Sequence, residues 1–119
     1  MNDINYLINN GINASDIISN LGIDTFKEVM GMFLDEINEK VNKLRDSLIS
    51  GNLQDYATYV HGIKGEANYL GFKKLTDLAY SHQLKSQEGD IEYIKNNYLI
   101  LLNEIARVIN VSKVYLGRE

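Results

Sequence analysis

A chain of 119 residues with 12 basic and 16 acidic side chains, no proline and no cysteine is the size of one domain. Its net charge of −4 denies nucleic acid the basic face it requires, and without cysteine there is neither a disulfide frame nor a thiolate site. No apolar run approaches the ~18–20 residues that span a bilayer, and the start Met1-Asn2-Asp3-Ile4 lacks the basic and apolar stretches of a secretory signal, so a cytoplasmic protein with no membrane association is expected.

Residues 1–23 carry Ile4, Leu7, Ile8, Ile12, Ile17, Ile18 and Leu21, interrupted by Gly11 and Gly22. This pattern predicts one or two short helices lying across the end of a bundle. Asp24 or Thr25 is a candidate cap for the next helix, and Thr25 with Glu28 has capping-box spacing. Over 24–50, Phe26, Val29, Met30, Phe33, Ile37, Val41, Leu44 and Leu48 recur at three- and four-residue intervals, closed by Ser50-Gly51-Asn52. That is the stripe of an amphipathic helix. The helix predicted over 52–70 turns Leu53, Tyr56, Ala57, Val60, Ile63, Ala67 and Leu70 inward and stops at Gly71. Leu75, Leu78, Ala79 and His82 mark a helix over 72–88, ended by Gly89-Asp90, and a last stripe from Ile91 to Ile109 marks one over 90–112. Connections this short force consecutive helices to run antiparallel. The expectation is an all-α fold with 1–119 as a single domain: an antiparallel up-down-up-down four-helix bundle with a short N-terminal helical segment across one end.

Within helix 52–70, the stretch His61-Gly62-Ile63-Lys64-Gly65 is not explained by stability. Each glycine in a helix interior costs about 1 kcal/mol relative to alanine, a sizeable part of the ~5–15 kcal/mol that holds a domain together. Bare backbone beside a histidine points instead to a macromolecule that must come close to the imidazole. At about 100° per residue, His61 falls roughly 130° from the centre of the apolar face, so its ring is expected to be exposed. Gly65 and Asn68 project on the same outer face, with Thr58 one turn before. Lys64 lies nearer the boundary, where its stem can cover apolar surface and its ammonium can swing towards the imidazole.

His61-x-x-Lys64-Gly65, followed at this spacing by Leu70-Gly71, Leu75 and Ala79, resembles the histidine-containing phosphotransfer (HPt) domain of bacterial two-component phosphorelays. The resemblance covers about residues 12–110 and includes Phe33, the Gly51-Asn52 turn and Gly89-Asp90. It implies that His61 is the phosphoryl acceptor and that Lys64 helps neutralise the phosphoryl oxygens by charge-assisted contact. Gly62, Gly65, Thr58, Asn68 and Tyr69 would lie on the surface that a partner approaches. Gln83 would hydrogen-bond one ring nitrogen of His61 and leave the other free as nucleophile. The chain departs from the family just before it, with His82 where leucine is usual. As a stripe position, His82 is expected to be a boundary or semi-buried histidine with a satisfied ring. A second phosphorylation site there is not expected, because no Lys-Gly pair follows it.

The resemblance implies a phosphocarrier without independent kinase activity rather than an enzyme. Its partners would be receiver domains of response regulators or hybrid histidine kinases. It would need no cofactor or metal of its own, Mg²⁺ belonging to the receiver, and it would act as a monomer. The alternative is a bundle of the same shape that serves only as a protein-interaction module, without phosphotransfer. A metal-dependent bundle enzyme would draw Glu-x-x-His pairs from facing helices, and the chain contains none.

Overall fold

The apolar spacing resolves into six α-helices in the computed structural model, which describes residues 3–119. They are α1 (Ile4–Asn9), α2 (Ala14–Leu21), α3 (Ile23–Ile49), α4 (Leu53–Tyr69), α5 (Lys73–Gln87) and α6 (Ile91–Leu116). Met1 and Asn2, counted in the expected N-terminal segment, lie outside the described residues. Among the described residues no helix is long and apolar enough to cross a membrane.

Helices α3 to α6 form the up-down-up-down bundle around Phe26, Met30, Phe33, Ile37, Leu44, Tyr56, Val60, Ile63, Leu75, Ile94, Leu101 and Val108, all buried. With 27 and 26 residues, α3 and α6 are each about 40 Å long at 1.5 Å per residue. Helices α4 and α5 have only 17 and 15 residues. The long pair therefore outruns the short pair, and α1 and α2 fill the step across that end. Leu7, Ile12 and Ala14 enter the same core. Two edge-to-face ring pairs join the layers there, Phe33 with Phe72 at 5.4 Å and Phe26 with Tyr115 at 6.2 Å. Arg107 of α6 holds the segment from outside, donating to the Asn10 carbonyl at 2.7 Å and, through two nitrogens, to the Glu104 carboxylate at 2.8 Å.

Gly71 makes the seam between this end piece and the bundle possible. Its carbonyl accepts from Asn13 N at 2.9 Å, beside an isolated bridge between Ile12 and Phe72. The backbones meet so closely that a Cβ at residue 71 would sit 2.6 Å from the Asn13 carbonyl oxygen, and φ there is +78°. Only glycine satisfies both conditions.

Two helix ends differ from the sequence expectation. No side chain caps α3, which begins at Ile23 with Gly22 as its N-cap. Gly22 N–H closes α2 on the Ile18 carbonyl while its own carbonyl accepts from Phe26 N, so one residue ends one helix and starts the next. Asp24 and Thr25 are left inside the first turn. The last helix runs to Leu116 rather than 112 because Tyr115 is buried against Phe26. Gly117, at φ +70°, then turns the chain, and Arg118 N–H reaches the Lys113 carbonyl at 2.8 Å, the six-residue closure of a Schellman end.

Gly71→Ala forces both a left-handed alanine and a backbone clash. Its urea midpoint should fall by the equivalent of about 2 kcal/mol or more. A wild-type midpoint would show that the seam yields without loss.

Candidate functional site

Helix α4 starts cleanly because Asn52 Oδ1 accepts from Asp55 N at 3.0 Å, satisfying one of the free amides of the first turn. From there Tyr56, Val60, Ile63 and Ala67 turn into the core, and His61 is carried to the exposed side. On α5, Leu75, Ala79, His82 and Ser86 face inward. Gln83, one residue beyond His82, is rotated by about 100° towards the rim of the α4–α5 groove.

The two helices bring His61 and Gln83 together: His61 Nδ1–H donates to Gln83 Oε1 at 3.1 Å. An amide oxygen can only accept, so this contact puts the ring proton on Nδ1. The other nitrogen, Nε2, keeps its lone pair and finds no partner among the described residues. The ring lines an open groove of about 570 Å³ with Gln54, Thr58, Gln83 and Gln87. Thr58 turns its hydroxyl back onto the Gln54 carbonyl at 3.2 Å.

Gly62 and Gly65 are exposed beside the ring, and a Cβ at either would meet nothing within 4 Å. Unlike Gly71, neither is required by the packing of this chain. Lys64 does not swing onto the imidazole; its ammonium lies over the Tyr80 ring, 4.9 Å from the centroid. No carboxylate among the described residues pairs with it, whereas Glu66 on the same helix pairs with Lys40 of α3. Asn68 and Tyr69 are exposed further along α4. Asn68 lines a different depression, with Asn13, Ile17 and Thr76. Gln54, Gln87 and Tyr80 join the surroundings of the site without having been singled out in the sequence. Tyr80 stands one turn before Gln83 on the same face of α5, a spacing that is its only mark in the sequence. Among the described residues, no three His, Cys, Asp or Glu side chains gather as a metal site.

His82 is not a boundary residue; it is fully buried. Its Nδ1 and the Tyr56 hydroxyl share a hydrogen bond at 2.8 Å, and the ring stacks on Tyr56 and meets Tyr93 edge-on at centroid distances of 6.0 and 5.7 Å. Its Nε2 faces the Asn97 backbone carbonyl without good hydrogen-bond geometry. Burial lowers the imidazole pKa, and that carbonyl offsets a smaller part. Burial, and then the nearby Tyr98 and Tyr93, push the Tyr56 phenol far above its ordinary range. The pair is thus a neutral imidazole hydrogen-bonded to a neutral phenol.

The lowered His82 pKa fixes the sign of a pH effect. Its contribution to stability is fully present above the unfolded value of 6.5, because the imidazole is then neutral in both states. It is lost as pH falls through that value towards the folded one, since the unfolded chain takes up the proton first. Urea midpoints should therefore fall between pH 7.5 and 5.5, and His82→Gln should flatten the slope. A variant with the wild-type slope would assign the proton uptake elsewhere.

The family model described as Hpt domain matches residues 28–110, a span that contains His61, Lys64, Gly65 and Gln83. No curated protein and no solved structure matches the chain.

Proposed function

The chain belongs to the Hpt domain family, and from that premise we propose that His61 carries a phosphoryl group between the aspartates of two receiver domains. Hpt domains are phosphocarriers rather than enzymes, and they interact with receiver domains in phosphorelays. The observation that carries the reading to this residue is the Nδ1–H···Oε1 bond to Gln83, which leaves an exposed Nε2 lone pair.

In the forward step a receiver bearing phospho-aspartate docks over the groove, and Nε2 attacks phosphorus in line. The P–N bond forms as the bond from phosphorus to the aspartyl oxygen breaks, and the carboxylate leaves with the bonding pair. Nδ1 keeps its proton, and Gln83 Oε1 accepts from it while the ring gains positive charge. No base is needed. The second receiver reverses the sequence, its carboxylate displacing His61. Such loose transition states gain most from positioning and charge neutralisation. Lys64 supplies the cation for the phosphoryl oxygens, and Gly62 and Gly65 leave the partner's loops room. The Mg²⁺ and acidic pocket are the receiver's in this reading, and the chain works as a cytoplasmic monomer.

Incubation with a phospho-receiver separates this function from partner binding alone. His61→Gln should lose all acid-labile, base-stable labelling, and His82→Gln should keep it. Labelling retained in His61→Gln would move the acceptor elsewhere, and a wild-type chain that binds receivers without labelling would leave an interaction module.

Gly65→Ala isolates the glycine notch. It should stabilise the fold by up to about 1 kcal/mol through helix propensity, because the added methyl meets nothing, yet it should slow transfer from the receiver. Transfer at the wild-type rate would remove partner approach as the reason for the glycine.

A further inference from the structure

Helices α4 and α5 run antiparallel in a register that matches each step along one with an equal step back along the other. His61 meets Gln83 at 3.1 Å. Three residues further along α4 and three back along α5, Lys64 meets Tyr80 with its ammonium 4.9 Å from the ring centroid. The cation intended for the phosphoryl group is therefore held one helical turn away from the nucleophile, on a half-exposed aromatic face. Lys64 has no carboxylate partner among the described residues, so the ring is what holds it.

Resting on the phosphotransfer reading, we propose that Tyr80 is a positioning residue that stores the Lys64 cation while His61 is unphosphorylated and releases it when the phosphoryl group arrives. An ammonium over an exposed phenol ring is weakly held. A phosphoryl group of charge near −2 one turn away attracts it more strongly, through charge-assisted hydrogen bonds. The exchange keeps the side chain ordered close to the site in both states. It also has a thermodynamic consequence. A contact made only in the unphosphorylated state favours that state by its own strength, so the ring sets how readily the carrier gives up its phosphoryl group.

NMR of the full chain reads the contact. Lys64 Hε protons over the Tyr80 face should be shifted upfield by the ring current. Charging His61 with phosphoramidate should move them towards the free-lysine value. Tyr80→Leu should show that value before phosphorylation, and Tyr80→Phe should restore the upfield shift. At equilibrium with a phospho-receiver, Tyr80→Leu should retain about two- to fivefold more phosphoryl group on His61 than wild type, with Tyr80→Phe returning the partition to the wild-type ratio. A Lys64 signal that stays put on phosphorylation, or a Tyr80→Leu partition at or below wild type, overturns the inference and leaves His61 as acceptor. A chain that no donor phosphorylates overturns the function itself and the release step with it, while the resting-state shift still reports the Lys64–Tyr80 contact.

Discussion

One buried hydrogen bond, between the Tyr56 hydroxyl and His82 Nδ1 at 2.8 Å, fixes how the two short helices of the bundle meet. Both groups lie in the dry interior, where a polar atom left without its partner costs about 1–3 kcal/mol. A slip of α5 by one turn would orphan both at once. With His82 pinned inward, the next residue, Gln83, must emerge at the groove, and the antiparallel register sets it beside His61. The same register delivers Tyr80 to Lys64. The surface geometry of the site is thus a consequence of a buried polar pair that faces the other way.

The N-terminal helices act on the same register from the far end. Gly71 lies between α4 and α5 and accepts the Asn13 amide, so the end piece clamps the turn that joins the two site-bearing helices. Its tolerance for side chains is the reverse of that at Gly62 and Gly65. Gly71 has no room for a methyl group, whereas the two glycines beside His61 have open space around them. One glycine serves the chain's own packing, and the other two have no use within it. That contrast separates a structural glycine from those that await a partner.

The bundle helices were legible because Phe26, Phe33, Ile37 and Leu44, or Tyr56, Val60 and Ile63, repeat with the helical period and nothing else competes. The exposure of His61 followed from the same arithmetic. The start of α3 was not legible, since Thr25 and Glu28 match a capping box while the helix already begins from Gly22, three residues before Thr25, whose carbonyl accepts from Phe26 N. Depth was harder still. His82 reads as a boundary residue because a histidine becomes a core residue only if something distant satisfies it, and Tyr56 stands 26 positions away. Lys64 fails in the same manner: helix geometry puts it near His61, but its resting place is decided by an aromatic ring on the neighbouring helix. What period and composition encode is the face of each helix; what they leave out is the pairing between faces.

Phosphotransfer through this site depends on which nitrogen of His61 is free. Long-range proton–nitrogen NMR spectra of His61, recorded before and after phosphorylation, read this directly. The Gln83 contact predicts a protonated Nδ1 in the resting ring and phosphorus coupled to Nε2 in the product. A resting ring protonated on Nε2, or a phosphoryl group on Nδ1, would contradict it.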